Sequence, residues 1–422
     1  MLRRRFLKQL AAAGAASGWQ WTHAAAPRAP RVGVVGAGIV GASVAYHLSE
    51  AGARVTLFEK AQPASGATQN SFAWLNAFVP EPAYRALRLQ SLMAYHDLDR
   101  RLRLGIVWGG YTNWASNPAE VRSLEESAAQ MDGTPYAVRR IDAAQLLAMT
   151  PSLVPGTVAE AFFSRIDGQL NPVAATRRFL EAAQRHGTLI RLQCEVQGLE
   201  MTHGVLTGVR TATDRLSLDH LVVAAGVDTP GVLAQAGFPL KLRYSPGILA
   251  HSRPTSIVTP IIFDAPGHLS FKQMADGSIV GTDAPEPPDI PAHREIRDHA
   301  TAFPDEAIRA MHGDRILAKI AVVLPAARGV ALERLTLGFR PIPLDELPVV
   351  GTLPEVPNLY VVVTHSGVTL APILGRYVTQ EVMSGSRIEA LAPFRPERFA
   401  GKMARTASGP PLLAPRGAAS FE

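Results

Sequence analysis

The chain has 422 residues, of which 47% are hydrophobic, and it carries a formal net charge of +6 at pH 7. This is enough apolar material for one large domain or two closely joined ones. No stretch approaches the roughly 20 apolar residues that a membrane-spanning helix needs. The single cysteine, Cys194, rules out an internal disulfide and a multi-cysteine metal site, and we expect no bound metal.

The first 26 residues have the order of features found in an export signal. Residues 3–8 read RRRFLK, which resembles the twin-arginine motif of two arginines, one further residue, Phe, Leu and Lys. A weakly apolar run follows at 10–16, and the small residues 24–26 suit a signal peptidase. We therefore expect export to the periplasm, or beyond the cytoplasm in general, by the twin-arginine machinery. A basic, alanine-rich leader without a targeting role is the alternative.

Loss of this leader changes what the charge implies. The leader contains four basic residues and no acidic one, so its removal lowers the formal net charge from +6 to +2. The remaining Lys and Arg residues form no cluster of the kind that binds nucleic acid. We therefore expect no nucleic-acid partner.

Residues 31–59 predict a βαβ unit. Apolar runs and a glycine-rich turn indicate a strand (31–35), a helix (about 39–51, ended by Gly52) and a second strand (55–58). The turn reads Gly36-Ala37-Gly38-Ile39-Val40-Gly41, which fits the GxGxxG pattern of dinucleotide-binding units. In that pattern Gly36 allows the turn, Gly38 lets the backbone approach a pyrophosphate, and Gly41 lets the helix pack against the strand.

An acidic residue ends the second predicted strand. Glu59 can accept hydrogen bonds from a ribose 2′-hydroxyl and would repel a 2′-phosphate, so it favours FAD or NAD over NADP. Lys60 follows it and is included in the expected cofactor site. The spacing of the turn and the acid does not separate FAD from NAD.

After residue 59 the predicted type of secondary structure changes twice along the chain. Helices are predicted at 83–104, opened by Pro82, at 118–131, and after Asn171-Pro172 up to Gly187. An alternating strand follows over 190–196, then an apolar strand near 221–226. Short alternating segments and turn pairs over about 240–334 indicate antiparallel β-structure. The chain then returns to an apolar strand (359–363) and a helix (371–383).

These patterns predict an α/β protein with a discontinuous, Rossmann-like nucleotide-binding domain and an inserted antiparallel β-rich substrate domain. The nucleotide-binding domain is expected over 31–104, 150–238 and 335–399, and the substrate domain over 105–149 and 239–334. Residues 400–422, rich in Pro, Gly and Ala, are expected to form a flexible tail.

From about residue 31 to 399 the sequence resembles the D-amino-acid-oxidase-like (DAO) superfamily of FAD-dependent oxidoreductases, which includes D-amino acid dehydrogenases, glycine oxidase and sarcosine oxidases. Several segments carry the resemblance, and it implies cofactor contacts for some of their residues. They are 64–68, a loop at the phosphates and flavin (Ser65, Ala67, Thr68); 167–172, the entry to a central helix; Val196, whose backbone meets adenine; and 224–226, a turn near the cofactor (Ala225, Gly226).

Two C-terminal segments of the resemblance concern the reaction. Residues 338–341 read GFRP, and in the family the arginine of this segment, here Arg340, holds the substrate carboxylate beneath the flavin. Residues 365–370 read HSGVTL. The resemblance places Gly367, Val368, Thr369 and Leu370 at the flavin's pyrimidine edge, where a helix N-terminus stabilises negative charge. His365 is a candidate proton acceptor or a structural hydrogen-bonding residue.

Departures from the family pattern refine these expectations. Residues 69–71 read QNS where some relatives attach flavin through a histidine, and Cys194 is far from the C-terminal arginine, so we expect non-covalent FAD. Sarcosine oxidases use a lysine near the flavin to promote reaction with oxygen, and 277–281 contains none, which favours a dehydrogenase over an efficient oxidase. The electron acceptor expected is oxygen or a quinone. His268, Phe271 and Lys272 lie on a strand that can line the substrate site.

The resemblance implies oxidation of the C–N bond of an amino acid or N-substituted amino acid by hydride transfer to flavin N5, followed by hydrolysis of the imine. Three alternatives remain open from the sequence. They are an FAD-dependent 2-hydroxy-acid oxidoreductase with much the same site, a non-catalytic FAD-binding subunit, and an NAD-dependent dehydrogenase.

Overall fold

The structure is a computed structural model that describes residues 28–136, 138–283, 303 and 305–399. The expected export signal and the expected flexible tail lie outside these residues. Among the described helices, none is long and apolar enough to cross a membrane.

The first sheet is built around the predicted βαβ unit. Its order in space is β18 (Val349–Leu353), β19 (Val356–Val363), β12 (His220–Val223), β1 (Arg31–Val35), β2 (Arg54–Phe58) and β8 (Leu189–Arg191). All neighbours are parallel except β18 and β19, which form an antiparallel pair. Strand β1 is central, so its residues are almost continuously buried. The Rossmann-like arrangement predicted from the sequence is therefore confirmed.

Four helices pack together beside this sheet. They are α1 (Ile39–Glu50), α2 (Pro82–Leu102), α5 (Pro172–Arg185) and α8 (Gly367–Ser384). Helix α1 contacts β1 and β2 and packs against both α5 and α8. Asn171 caps α5 by accepting from the backbone N–H of Ala174 at 3.0 Å, and Pro172 occupies the first helical position. The predicted start of this helix is confirmed.

The second large sheet has eight strands and is antiparallel except between β14 and β4. Its order is β17 (Leu332–Pro343), β13 (Leu242–Ser252), β16 (Ile279–Thr282), β15 (Leu269–Gln273), β14 (Ile262–Ala265), β4 (Tyr111–Ala115), β6 (Glu160–Ser164) and β5 (Arg139–Ile141). Strand β6 and most of β17 fall in ranges that the sequence pattern assigns to the nucleotide-binding domain. They belong to this sheet because β6 pairs with β4 and β5, and β17 pairs with β13 along its length.

Two further predictions differ from the structure. The range 240–334 is not only β-rich, because it contains the long helix α7 (Glu306–Val323), capped by Asp305 and packed on one face of the eight-stranded sheet. The alternating run 190–196 does not continue as a strand beyond Arg191. Gln193 adopts a left-handed conformation (φ 51°), which turns the chain so that the Cys194 N–H donates to the Glu59 carbonyl at 2.8 Å.

The remaining elements are small. They are helices α3 (Pro118–Ala129), α4 (Ala143–Met149) and α6 (Thr229–Ala234), the three-stranded sheet β9 (Gly198–Thr202), β10 (Val205–Arg210) and β11 (Arg215–Ser217), and the pair β3 (Trp74–Leu75) and β7 (Gly168–Gln169).

Candidate functional site

A long cleft runs across the carboxyl ends of the parallel strands, where open α/β sheets bind their ligands. It contains about 1220 Å³ of empty space, open solvent included. Sixteen of the nineteen predicted site residues line it: Gly36, Gly38, Ile39, Val40, Glu59, Lys60, Ser65, Ala67, Thr68, Val196, Ala225, Gly226, Arg340, His365, Gly367 and Val368. Gly41, Thr369 and Leu370 do not line the cleft.

The glycine turn at the middle of the cleft is tightly fitted. Gly36 has φ +102°, and a Cβ atom there would lie 2.5 Å from the Ala224 carbonyl oxygen. A Cβ on Gly41 would lie 2.0 Å from the Gly36 carbonyl oxygen. Gly41 therefore acts as expected, by letting α1 pack against the turn, and contributes to the cleft only indirectly.

Glu59 fixes this turn as well as facing the cleft. One carboxylate oxygen accepts from the Ala37 N–H at 2.8 Å and the other from the Ala61 N–H at 2.8 Å. Carboxylate oxygens have about four lone-pair positions between them, so further acceptor capacity is left for ribose hydroxyls. Glu59 can therefore hold the turn and a ribose together.

The end of the cleft beside Glu59 is polar at its rim. Lys60 and Asp228, one from each side, form an ion pair of 2.8 Å, and both side chains are about half exposed. Its hydrogen bond to Asp228 raises the pKa of Lys60. Val196 and the half-buried Cys194 line the same end. Asp228 is a site residue that the sequence analysis misses, although it follows the predicted Ala225-Gly226 turn by only two residues.

The loop after β2 closes over the start of α1. The Thr68 hydroxyl accepts from the Ile39 N–H at 3.1 Å, so it satisfies one of the N–H groups that a helix N-terminus leaves without a partner in the helix. Ser65 and Ala67 line the cleft beside it, together with Ser71.

Arg340 lies at the other end of the cleft, on the edge strand β17 of the eight-stranded sheet. Its backbone is opposite Ser245 in the pairing with β13, so a regular strand fixes its position. Arg340 also lines a small adjoining pocket with apolar walls that include Phe72, Leu249 and Gly338. A half-buried guanidinium between this pocket and the nucleotide cleft suits a ligand that carries a carboxylate.

His365 lines the cleft near Arg340 but is held uncharged. Burial, together with the positive charges of Arg88 and Arg340, lowers its pKa to about 3. Its Nδ1 atom lies 3.4 Å from the Ser366 hydroxyl oxygen. An imidazole with so low a pKa is a weak proton acceptor at neutral pH, so the structure favours the structural alternative for His365.

The N-terminus of α8 faces the cleft through its first two residues only. Gly367 and Val368 line the cleft, whereas Thr369 and Leu370 are fully buried. The Thr369 hydroxyl donates to the Trp74 carbonyl at 3.1 Å. The cofactor contacts expected of Thr369 and Leu370 stay predictions.

A buried lysine lies on the strand next to residues 277–281, the segment that contains no lysine. Lys272, on β15, is 1% exposed, and its ammonium donates to the Ala73 carbonyl at 3.0 Å and lies 4.9 Å from the centre of the Phe72 ring. Burial lowers the pKa of Lys272 to about 7. The absence of a lysine from 277–281 therefore gives no argument for a dehydrogenase.

The donor set of the cleft fits an extended dinucleotide. The glycine turn and α1 N-terminus are suited to a pyrophosphate, Glu59 to a ribose, and the Val196 end to a flat base. Strands β2 and β19 are separated by β1 and β12, so the two ends of the cleft lie roughly 14 Å apart across the sheet. That separation requires an extended ligand.

The model of one protein family, described as DAO, FAD dependent oxidoreductase, matches residues 31–381. The chain belongs to this family of FAD-dependent oxidoreductases. The match covers the nucleotide cleft, Arg340 and nearly all of α8. It decides between FAD and NAD, which the glycine turn alone does not separate. The protein is an FAD-dependent oxidoreductase, and FAD is its cofactor.

Several individual relatives are distant but are matched along nearly their whole length. The chain is 26% identical to the uncharacterized oxidoreductase YurR of Bacillus subtilis, over 86% of this chain and 97% of the relative. It is 24% identical to a monomeric sarcosine oxidase of Streptomyces avermitilis, with 87% and 97% covered. Glycine oxidase of Geobacillus kaustophilus is 24% identical, with 88% and 98% covered. The crystal structure of that glycine oxidase superposes with a TM-score of 0.76 at 23% identity over 87% of this chain and 98% of the other, which confirms the fold.

Proposed function

We propose that this FAD-dependent oxidoreductase oxidises the C–N bond of an amino acid or an N-substituted amino acid. The observation that carries the proposal is the position of Arg340, which lines the same cleft as the glycine turn and Glu59 although it belongs to the other large sheet. The cleft thus joins a cofactor site to a cationic group for a carboxylate.

Arg340 binds and orients the substrate in this proposal. Its planar guanidinium can hold both oxygens of a carboxylate, which fixes the direction of the α-carbon more firmly than a single ammonium would. Strand β17 holds the arginine, and Phe72 and Leu249 give one side of the pocket an apolar surface. Orientation of this kind supplies much of the rate enhancement when the protein contributes no nucleophile.

FAD, when bound, supplies the redox chemistry by accepting a hydride from the α-carbon. Gly36, Gly38 and Thr68 would hold its pyrophosphate region, and Gly367 and Val368 would face its flavin ring. The imine product hydrolyses in water to a keto acid and ammonia or an amine. We propose that FAD is held without a covalent bond, in line with the position of Cys194 beside Glu59, at the opposite end of the cleft from Arg340.

The proposed substrate class follows from this chemistry and from two relatives. Glycine oxidase and sarcosine oxidase are named for a primary and an N-methylated amino acid, each with its nitrogen on the carbon next to the carboxylate. Oxygen and a quinone are the two proposed electron acceptors. Since Lys272 removes the sequence argument for a dehydrogenase, reoxidation by each acceptor decides between them. We also propose that the protein reaches the periplasm by the twin-arginine route.

The test is steady-state kinetics of Arg340→Leu on each active substrate. Loss of the carboxylate contact should lower kcat/KM by about 100-fold or more, roughly 3 kcal/mol, mainly through KM, while FAD stays bound. Arg334→Leu is the matched control, because Arg334 lies on the same strand but does not line the cleft. Unchanged kinetics of Arg340→Leu on every active substrate would contradict the proposal.

A further inference from the structure

A stripe of polar side chains on α2 faces the start of α8. Tyr84, Arg88, Ser91 and Tyr95 recur at helical spacing, so they share one face of α2. Each bonds to the first turns of α8 or to the residue before them. Tyr84 and Arg88 donate to the Ser366 hydroxyl oxygen, Tyr95 donates to the Val368 carbonyl, and the Ser91 hydroxyl oxygen accepts from the Ile373 N–H at 3.4 Å. Helix α2 therefore contacts the start of α8 on the side that faces away from the cleft.

Arg88 is the charged member of this stripe, and it is 1% exposed. Its guanidinium donates to the Asn76 side-chain oxygen at 2.8 Å, to the Tyr84 hydroxyl at 3.3 Å and to the Ser366 hydroxyl. It also lies 4.6 Å from the centre of the Tyr84 ring. These contacts fix a positive charge directly behind Ser366, the residue that precedes the cleft-lining Gly367 and Val368.

The charge of Arg88 reaches the cleft. It is one of the causes, after burial, that lower the pKa of His365, which lines the cleft next to Ser366. Interactions between charges are stronger in a buried region than in water, because little solvent screens them. The N-terminus of α8 carries a partial positive charge of its own, and Arg88 adds a full charge behind it.

We propose that Arg88 is a positioning residue that raises the electron affinity of the bound FAD by placing a fixed positive charge behind the N-terminus of α8. The negative charge that FAD gains on taking up two electrons would lie on the cleft side of the same helix turn. The inference rests on the proposed location of the flavin ring beside Gly367, and it concerns a residue that does not itself line the cleft.

The test uses the purified, FAD-loaded protein and two readouts other than turnover. These are the dissociation constant of sulfite, which adds to flavin and places negative charge on the ring, and the midpoint potential measured against a reference dye. Arg88→Gln should weaken sulfite binding about tenfold, which corresponds to a potential about 30 mV lower for a two-electron couple. Arg88→Lys, which keeps the charge, should recover most of both values.

Arg85 provides a matched control on the same helix. It is also buried, at 7% exposed, but its guanidinium donates to the Val79 carbonyl at 2.8 Å, away from α8. Arg85→Gln should therefore leave sulfite affinity and potential unchanged. Arg88→Met is a second charge-free variant, since an unbranched apolar side chain fills an irregular space without a polar group to satisfy.

Each outcome decides the proposal. Sulfite affinity of Arg88→Gln or Arg88→Met within twofold of wild type overturns it, as does an equal effect in Arg85→Gln. If neither charge-free variant retains FAD while Arg88→Lys does, Arg88 acts by maintaining the cleft, and the proposal is also overturned. Failure here is distinguishable from failure of the proposed function, because Arg340→Leu tests substrate binding without reference to the potential.

Discussion

At the scale of single residues, the glycine turn is the most constrained part of the cleft. The Cβ of an alanine at position 41 would lie 2.0 Å from the Gly36 carbonyl oxygen, which is backbone and has no room to retreat. We expect Gly41→Ala to lose about 1–3 kcal/mol of stability, the range typical of overpacking, and to purify with much less FAD. Thermal melting and the flavin content of the purified protein measure both effects.

Gly231→Ala is the control for that prediction. Gly231 lies on helix α6 and does not line the cleft, and a Cβ there would meet nothing within 4 Å. Normal FAD content and melting temperature in Gly41→Ala, or an equal loss in Gly231→Ala, would show that the contact is not the reason for the glycine.

Single-residue roles are predicted from the sequence only in part. The turn and Glu59 fit a local pattern whose chemistry is specific, and Arg340 is identified through the family resemblance. The structure brings all of them to one cleft. Arg88 is not found, since a buried arginine on an amphipathic helix has no local signature and its partner Ser366 is 278 residues away. His365 is found, but its low pKa depends on burial and on charges from other elements.

At the scale of elements, Asp167 joins three segments of the chain just before β7. Its carboxylate accepts from the Trp74 indole N–H at 2.6 Å, from the Tyr136 hydroxyl at 2.7 Å and from the Ser164 hydroxyl at 2.5 Å. Burial raises the pKa of Asp167 to about 7, although these hydrogen bonds oppose the shift. The carboxyl group therefore binds a proton in the folded protein at pH values where the unfolded chain has lost it.

This gives a pH dependence with a definite sign. Between about pH 4 and pH 7 the folded state binds more protons at Asp167 than the unfolded state, so the group's contribution to stability falls as the pH rises and levels off above 7. Over that window we expect the wild type to lose on the order of 4 kcal/mol relative to Asp167→Asn. Urea unfolding of both proteins at pH 4 to 8 measures the difference, and parallel profiles would refute it.

The order of elements is largely predictable, whereas their partners are not. The βαβ unit and helix α5 follow from apolar spacing, turn glycines and capping residues that lie close together in the chain. Assignment of β6 and β17 to the eight-stranded sheet depends on pairing with β4 and β13, which are distant in sequence. Helix α7 is missed because prolines and turn pairs dominate the composition around it.

At the scale of the whole molecule, the expected leader and the cofactor make a linked prediction. The twin-arginine route exports folded proteins, so FAD would bind before the protein leaves the cytoplasm. We expect Arg3→Lys together with Arg4→Lys to leave the precursor in the cytoplasm, still containing FAD, because this route requires the arginine pair. Cell fractionation followed by immunoblotting and flavin analysis measures this.

Arg5→Lys is the control, since Arg5 occupies the variable position of the motif. It should be exported and processed like the wild type. Equal export of the double variant would show that residues 1–26 are not a twin-arginine signal.

We propose that FAD lies along the cleft and that Arg340 binds an α-amino carboxylate beside the flavin. The most direct test is an anaerobic titration of the purified protein with D-amino acids, glycine, N-methyl amino acids and 2-hydroxy acids, in which the visible absorbance of the flavin is recorded. We predict bleaching by at least one amino or N-methyl amino acid, loss of that response at the same concentration in Arg340→Leu, and recovery of colour with oxygen or a quinone. Bleaching by 2-hydroxy acids alone, or by no compound of the panel, would contradict the account.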